Sequence, residues 1–290
     1  MPQKIIAYQG SAGANSNIAC EKFYPDHEAK AFATFYDIFN AVENGEADFG
    51  MIPLENSYAG RVSEIHTLLQ DSNLSIVAEH FLPITHNLAG IKGAKVEDIK
   101  EVLSHPQALM QCQSNLREFN LAVREFSNTA MAAKFVAENN DKSKAAICSK
   151  KAAEIYGLEI IREAIQDANN DNITIFIVIA KEPADVDPEI APVVTTLLFS
   201  IRNIPGSLYK ALGGLATNGV SMLKLESYIP GGVSNQAKFF ISIEGHPIQQ
   251  NVALALEEMG FFSKNVKLLG VYYADKMRSN NDGSKAWVDN

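Results

Sequence analysis

The chain has 290 residues, enough for one large domain or two smaller ones. Hydrophobic residues make up 47% and charged residues 20%, a balance that excludes wholesale disorder and collagen-like or coiled-coil repeats. There are 25 Lys and Arg against 34 Asp and Glu, giving a formal net charge of −9; because no basic run offsets it, we expect no nucleic-acid partner.

Up to residue 180, short apolar runs alternate with helical patterns. The first apolar run, Ile5–Tyr8, is followed directly by a polar loop, which is typical of a strand and not of the longer apolar segment of a signal peptide. Helices are predicted over Thr34–Glu43, with Thr34 as a possible cap, and in 62–69 and 109–119, where apolar residues recur at helical spacing. The predicted strands are Lys4–Tyr8, Phe49–Ile52, Ser75–Phe81, Glu101–Leu103, Ala122–Phe126, Ala145–Ile147 and Ile173–Ile179. This alternation predicts parallel sheets that bind ligands beyond the carboxyl ends of their strands.

Residues 181–192 (KEPADVDPEIAP) are acidic and carry three prolines, which predicts a linker. After it we predict, in order, the strand Val193–Ile201, the helix Gly206–Asn218, the strands Ser221–Tyr228 and Ala237–Glu244, the helix Gln249–Met259 and the strand Val266–Tyr273. This βαββαβ order is ferredoxin-like. The chain is therefore expected to comprise a first domain over 1–180, the linker, a second domain over 193–275 and a flexible tail over 276–290.

Four loops that precede helices could carry chemistry. Residues 9–16 (QGSAGANS) follow the first strand, and the free N–H groups of a helix start can bind an anion there, unless the glycines serve only packing. The loop fits neither a dinucleotide nor a nucleoside triphosphate motif. Residues 53–60 combine an acid, an amide and a hydroxyl; 104–112 contain His105; and 127–129 could be a helix cap and nothing more.

The remaining chemistry-bearing residues are few. The cysteines Cys20, Cys112 and Cys148 are far apart and odd in number, so neither a disulfide framework nor a zinc site is expected, and a reducing compartment fits. No apolar stretch reaches the roughly 20 residues of a membrane span. We expect a soluble, cytoplasmic protein with no membrane partner. From its local sequence alone, Thr174 reads as an ordinary strand residue.

Together, the segments resemble prephenate dehydratase with a C-terminal ACT regulatory domain. The resemblance spans about 4–274 and lies in the order of motifs that are individually weak. These are AYQGSAGANS (7–16), GEADFGMIPLENSYAGRV (45–62), SHPQALMQC (104–112), NTAMAA (128–133), NITIF (172–176), PGSLYKAL (205–212) and KLESYIPGG (224–232). It implies an α/β catalytic domain with two lobes, 1–80 with 160–180 and 81–159, resembling type II periplasmic binding proteins.

The resemblance implies a carbon–oxygen lyase that converts prephenate to phenylpyruvate, carbon dioxide and water in phenylalanine biosynthesis, without cofactor or metal. It assigns the catalytic residues as Thr174, Asn56, Ser57 and Glu55, with Thr174 assisting departure of the hydroxyl and Glu55 orienting the loop or a proton network. It assigns the substrate-binding residues as Ser11, Ser104, Gln111, His105 and Thr129. Arogenate dehydratase and a non-catalytic amino-acid sensor are the alternatives.

The resemblance also implies that phenylalanine binds the ACT domain and lowers activity, and that the chain forms a homodimer or homotetramer. The expected effector contacts are Gly206, Ser207, Leu208, Glu226 and Ser227. Two departures stand out: Ile175 occupies the position of an arginine that usually follows the catalytic threonine, and Tyr228 replaces an arginine of the effector motif. If the first arginine pairs with a substrate carboxylate, Arg61 is a possible substitute.

Overall fold

The structure, a computed structural model, describes residues 3–167, 172–202, 204–229 and 237–279. The chain separates into two compact units, one of Met1–Val62 and His80–Phe176 and the other of Ser63–Glu79 and Ile177–Asn290. The second unit therefore contains an early segment of the chain, which the predicted domain boundaries assign to the first domain. Within the described ranges, no helix is long and apolar enough to cross a membrane.

The first sheet consists of β1 (Ile5–Gln9), β2 (Glu28–Phe32), β3 (Phe49–Asn56), β4 (Gly60–Arg61), β5 (Ser75–Pro83) and β11 (Ile173–Ala180). Its order is β2-β1-β3-β11-β5, and β4 pairs with β3. β1 is parallel to both β2 and β3, as the strand–helix alternation predicts. The connecting helices are α1 (Asn15–Phe23) and α2 (Phe35–Asn44).

The predicted cap of α2 is confirmed. The Thr34 hydroxyl accepts a hydrogen bond from the backbone N–H of Asp37, and the Asp37 carboxylate accepts one from the backbone N–H of Thr34. This reciprocal capping box satisfies N–H groups that a helix start leaves unpaired. Gly45 ends the helix in the left-handed conformation at φ 78°, which a residue without Cβ adopts readily.

The second sheet lies within the first unit. It contains β6 (Asn87–Gly90), β7 (Glu101–Ser104), β8 (Ala122–Glu125), β9 (Lys144–Cys148) and β10 (Glu159–Arg162) in the order β10-β6-β9-β7-β8. Its helices are α4 (Pro106–Gln111), α5 (Gln113–Glu118), α6 (Thr129–Asn139) and α7 (Lys150–Tyr156), with a 3-10 turn over Val96–Asp98. Two differences from the sequence prediction appear. The helix expected over 109–119 is broken at Cys112, and β10 pairs with β6 instead of returning with 160–180 to the first lobe.

The C-terminal part follows the predicted βαββαβ order. Its elements are β12 (Val193–Ile201), α8 (Ser207–Thr217), β13 (Met222–Tyr228), β14 (Lys238–Glu244), α9 (Gln250–Phe262) and β15 (Ser263–Tyr273). The sheet order is β13-β14-β12-β15, and its pairings are antiparallel. Apolar side chains of α8 and α9 pack on the sheet residues Leu197, Phe239 and Ile241. A short helix, α10 (Lys276–Ser279), follows; the rest of the predicted tail lies outside the described residues.

The helix α3 (Ser63–Asp71) belongs to the same unit as this C-terminal sheet. The Lys267 ammonium of β15 donates to the backbone oxygens of Leu69, Gln70 and Ser72, at the carboxyl end of α3. The Gln70 side-chain oxygen accepts from Lys238 at 2.6 Å. Since side chains alternate across a strand, Lys238 points away from the face on which Phe239 meets α8 and α9. α3 thus covers the opposite face of the sheet.

A second contact lies nearer the start of α3. His66 is 1% exposed and its ring packs edge-on against Phe240, with centroids 4.9 Å apart. Its Nε2 lies 2.9 Å from a Glu226 carboxylate oxygen, although the angles are not those of a hydrogen bond, so the attraction is coulombic when the ring is protonated. The other carboxylate oxygen contacts Lys224 Nζ at 2.9 Å.

Candidate active site

The first unit contains a cavity of about 280 Å³ at the ends of β1 and β3 and the start of β11. Loops from both sheets of the unit contribute to its walls. The polar side chains in the lining are mostly uncharged: Gln9, Asn15, Ser16, Asn56, His86, His105, Gln107, Gln111, Ser127, Asn128, Thr129, Asn172 and Thr174. In the described part of the chain, Glu55 and Arg61 are the only acidic and basic residues of this lining.

Thr174 lies on the wall of this cavity and is 8% exposed. Asn56 Nδ2 donates to its Oγ1 at 3.0 Å and also contacts the Asn172 side-chain oxygen at 2.7 Å and the Ile173 backbone oxygen at 3.2 Å. The 53–60 loop is held to β11 by a backbone pair as well, because Ser57 N donates to Ile173 O at 2.9 Å. The structure therefore brings the predicted Asn56 and Thr174 into direct contact.

Gln111, at the end of α4, forms the other side of the polar wall. Its side-chain oxygen lies 2.8 Å from Asn172 Nδ2 and 2.8 Å from His86 Nε2. Burial lowers the pKa of His86, and the contact with Gln111 opposes this only in part, so the imidazole is neutral near pH 7. Gln111 is thus connected through Asn172 to the Asn56–Thr174 pair.

Two helix starts reach the cavity. Asn15 and Ser16, the first residues of α1, are in the lining, and no side chain caps this helix. At α6, the Asn128 side chain accepts from Met131 N at 2.8 Å, and Thr129 is the first helical residue. Backbone N–H groups and the helix dipole make such starts favourable for carboxylates without a net positive charge.

Alternation along β11 explains the Ile175 departure. Thr174 and Phe176 are in the cavity lining, whereas Ile173 and Ile175 are not. Successive side chains of a strand point to opposite faces, so position 175 faces away from Thr174. A change at that position therefore removes no side chain from the cavity wall. Arg61 is in the lining and can attract a carboxylate there.

The cavity brings together six of the predicted site residues: Thr174, Asn56, Glu55, Gln111, His105 and Thr129. His105 has a structural role as well, since its Nδ1 accepts from Gln107 N at 3.3 Å at the start of α4. Burial lowers the pKa of His105, against the opposing charge of Glu125, so it is uncharged near neutral pH.

The other three predicted residues lie outside the lining, and each has a structural contact of its own. Ser104 is completely buried, and its hydroxyl donates to Ile147 O at 2.6 Å, so it joins β7 to β9. The Ser57 hydroxyl accepts from Ile173 N at 3.0 Å and supports the loop against β11. Ser11 donates to the Asn128 side chain at 3.3 Å and reaches the site only through that cap.

Sequence reasoning missed His86 and treated Asn15, Ser16 and Asn172 only as parts of motifs. His86 lies in the turn between β5 and β6, and β6 is a strand that the apolar pattern did not reveal. Asn172 is a buried amide directly before β11. Its position before a strongly apolar run is the signal that the sequence offers for it.

The predicted effector residues lie in the second unit. Gly206 precedes α8 in the left-handed conformation at φ 74°, followed by the buried Ser207 and by Leu208, which packs against the core. Glu226 is engaged with His66 and Lys224 as described, and Ser227 follows it in β13. Tyr228 OH contacts the Gln70 side-chain oxygen of α3 at 3.3 Å. The end of the KLESYIPGG motif, from Pro230, lies outside the described residues.

The three cysteines are buried and free. Burial raises the pKa of each thiol to about 12, so none is a thiolate at neutral pH. Within the described ranges, no cluster of three His, Cys, Asp or Glu side chains could hold a metal ion. The cavity chemistry consists of oriented amides, hydroxyls and helix N–H groups around one acid and one base.

The fold and this cavity define an α/β protein whose cavity combines helix starts with neutral polar side chains. Comparison with known families is more specific: the prephenate dehydratase family matches residues 6–184, and the chain belongs to that family. It is accordingly a dehydratase-type lyase. Its mixed α/β fold agrees with the solved structures of the family.

Three relatives illustrate the range of the family. A protein of Komagataeibacter europaeus named a bifunctional N-acyl-homoserine lactone acylase/prephenate dehydratase is 43% identical, covering 95% of this chain and 98% of its own. Arogenate dehydratase 2 of Petunia hybrida is 36% identical, covering 93% of this chain and 72% of its own. The crystal structure of prephenate dehydratase from Arthrobacter aurescens in complex with L-Phe is 28% identical, with a TM-score of 0.85 over 93% of this chain and 90% of that one.

Proposed function

We propose that this protein converts prephenate to phenylpyruvate, carbon dioxide and water. The observation that carries the proposal is the Thr174 hydroxyl, which Asn56 holds at 3.0 Å on the wall of a cavity bounded by helix starts. The reaction ends in an aromatic ring, which supplies its driving force. The protein then has to orient two carboxylates and assist one leaving group, a task for positioned donors.

In this mechanism the bond between the ring and its carboxylate breaks, and carbon dioxide leaves. The electron pair enters the ring, the adjacent double bond shifts, and the carbon–oxygen bond to the ring hydroxyl breaks. The departing oxygen needs a proton to leave as water. Thr174 donates a hydrogen bond that assists this departure. The one proton that the oxygen takes up to leave as water comes from solvent, and Glu55 in the same lining can relay it through the local network.

The substrate is a dianion, and the cavity offers three kinds of partner for its carboxylates. The starts of α1 and α6 supply N–H groups, the Gln111 amide supplies side-chain donors, and Arg61 supplies a charge. A bound substrate displaces water from the cavity, which strengthens each of these interactions.

The test is a steady-state assay on purified protein with prephenate and, separately, with arogenate, the amino analogue used by plant relatives such as the Petunia enzyme. We expect turnover of prephenate, and loss of turnover in Thr174→Ala with an unchanged circular dichroism spectrum. A higher kcat/KM on arogenate would reassign the substrate. Absence of turnover on both, from folded protein, would favour a non-catalytic amino-acid sensor.

The Komagataeibacter relative suggests a second readout, because its name includes an acylase activity. Release of fatty acid from an N-acyl-homoserine lactone should be measured in the same samples. If acyl release occurs and survives Thr174→Ala, it does not depend on the hydroxyl proposed for dehydration.

We also propose that 193–275 is an ACT domain that binds phenylalanine and lowers activity, within a homodimer or homotetramer. Support comes from the βαββαβ order, the Gly206 turn and the L-Phe complex of the Arthrobacter relative. The helix α3 offers a connection: the C-terminal sheet contacts it through Lys267 and Glu226, and it begins directly after Val62, which is in the cavity lining.

This regulation is tested by adding saturating phenylalanine to the assay, with light scattering to count subunits. We expect inhibition and a raised melting temperature, because a ligand that binds the folded state stabilises it. Unchanged activity together with an unchanged melting temperature would exclude phenylalanine as the effector.

A further inference from the structure

The side chain of Asn56 has an orientation that the backbone fixes. Its Oδ1 accepts hydrogen bonds from the backbone N–H groups of Tyr58 and Ala59, both at 3.0 Å. A backbone N–H can only donate, so the atom facing it must be the amide oxygen. The Asn56 NH₂ group therefore points the other way, toward Asn172 and Thr174.

This polarity passes to the next two amides. The atom of Asn172 that faces Asn56 Nδ2 at 2.7 Å must accept, so it is Oδ1, and the Asn172 NH₂ group faces Gln111. By the same argument, the Gln111 atom that faces it at 2.8 Å is Oε1. Each amide fixes its neighbour, since a reversed amide would oppose two donors or two acceptors.

The last member of the chain of contacts is His86. Its Nε2 lies 2.8 Å from Gln111 Oε1, which can only accept, so Nε2 carries a proton. The imidazole is 5% exposed, and neutral near pH 7 as described above. His86 is therefore expected in the neutral form with its proton on Nε2.

The consequence concerns the two groups that face a ligand. The Gln111 oxygen already accepts from Asn172 and His86, which leaves its NH₂ group to donate. Thr174 Oγ1 already accepts from Asn56, which leaves its proton to donate. In the described part of the chain, neither of these donors has a partner assigned to it.

We infer that His86 and Asn172 are positioning residues that orient the Gln111 amide so that its NH₂ group donates into the cavity, while Asn56 leaves the Thr174 proton to donate there. The inference rests on the proposed dehydration, in which a carboxylate and a departing hydroxyl are both acceptors. A wall that presents donors binds these acceptors and is less favourable for a substrate group that must donate at the same places. His86 and Asn172 act on the bound substrate through the orientation of Gln111.

The first experiment reverses the polarity at one link. Asn172→Asp is nearly isosteric, keeps an acceptor for Asn56 and places a second acceptor against Gln111 Oε1. Gln111 then has to turn its NH₂ group away from the ligand. We expect KM for the substrate to rise about 10- to 100-fold, the effect of losing one hydrogen bond to a charged group, with a smaller change in kcat. Asn139→Asp, in the exposed part of α6, is the matched control and should match wild type.

The second experiment tests the donor at the end of the chain. His86→Leu removes the donor, whereas His86→Gln retains an NH₂ group that can reach Gln111. We expect KM to rise about tenfold in the leucine variant and to recover most of the way in the glutamine variant. Equal KM values for the two variants would overturn the inference, because a purely structural role for the ring does not distinguish them by donor capacity.

A third measurement does not depend on activity. In protein with ¹⁵N-labelled histidine, the His86 resonances, identified by their absence in His86→Gln, should show a neutral ring protonated at Nε2 at pH 7. A ring protonated at Nδ1, or at both nitrogens, would refute the inference. If wild type turns over neither substrate but shows this tautomer, the proposed function fails and the orientation of the amides stands.

Discussion

The cavity of the first unit and the α3-binding face of the C-terminal sheet both hold buried polar groups in place, but with different kinds of contact. In the cavity, these groups are neutral amides and one neutral imidazole, and Asn172 contacts both Asn56 and Gln111. At the α3-binding face, charged side chains make the contacts: Lys267 donates to backbone oxygens of α3, and the Glu226 carboxylate lies next to His66.

The difference shows what each arrangement is suited for. Neutral hydrogen bonds are directional, and a chain of them fixes which groups donate, independently of salt and over a wide pH range. Charged contacts are stronger individually but depend on protonation and screening. Substrate orientation should therefore tolerate changes of pH and salt that weaken the hold of the C-terminal sheet on α3.

The largest expected effect comes from placing a charge in the neutral network. Asn56→Asp keeps the acceptor for Tyr58 N and Ala59 N but turns the donor that faces Thr174 into an acceptor. Thr174 then donates to the new carboxylate instead of to the leaving group. We expect kcat to fall about 10²- to 10³-fold, as when a transition-state donor is lost, measured against Asn139→Asp at an exposed position as a control.

The next effect concerns stability and leaves the cavity alone. Lys267→Met removes donors to three backbone oxygens at the end of α3, where a positive charge also favours the helix dipole. We expect the free energy of unfolding to fall by about 1–3 kcal/mol, with KM for the substrate unchanged. Lys134→Met, on an exposed helix face, should be nearly neutral in urea denaturation; equal losses for both variants would contradict the assigned role of Lys267.

A smaller effect is the pH dependence of stability at the α3-binding face, which the neutral network of the cavity does not share. Burial acts to raise the pKa of Glu226, but contacts with His66 and Lys224 overcome it and bring the pKa to about 2, from 4.5 for the free group. A depressed carboxyl pKa stabilises the fold above the unfolded pKa, and this stability is lost as the pH falls from about 4.5 toward 2. Glu226→Gln should flatten the dependence of the unfolding free energy in that window; an unchanged slope would exclude Glu226 as its source.

The smallest effect is predicted at His105. It caps α4 through Nδ1 and is uncharged near neutral pH, so asparagine can replace the acceptor. We expect kcat/KM of His105→Asn to stay within about threefold of wild type across pH 6–8. A pH profile that loses an ionisation would instead indicate that His105 takes part in proton transfer.

Much of the fold could be predicted from local sequence. The βαββαβ order follows from apolar runs separated by turn residues, and the Thr34 cap of α2 follows from its position before an apolar repeat. The strands β2, β6 and β10 were missed. β2 and β10 are edge strands whose apolar residues are interrupted or flanked by charged ones, and β6 ends in glycine, which is depleted in strands. The location of α3 was missed because its partners lie more than 150 residues away in the chain.

The site was predictable where motifs place residues at the ends of strands. Thr174, Asn56 and Gln111 are in the cavity lining because the start of β11, the end of β3 and the end of α4 converge there. Ser104 shows the limit of this approach: it lies one residue before a cavity residue, but strand alternation turns its hydroxyl toward β9. His86 could not be found from the sequence, since its significance lies in a contact with Gln111 and not in any motif.

The contacts of β13, β14 and β15 with α3 determine where the chain can be cut to exchange domains between family members. A fragment cut at the proline-rich segment would carry Lys267, Lys238 and Glu226 without the helix they contact. Its polar groups would lose their partners and the ring of Phe240 its cover, which favours aggregation in expression trials. A chimaera that transfers Ser63–Glu79 together with the C-terminal half preserves these contacts, so recombination points should be chosen by three-dimensional contact and not by position along the gene.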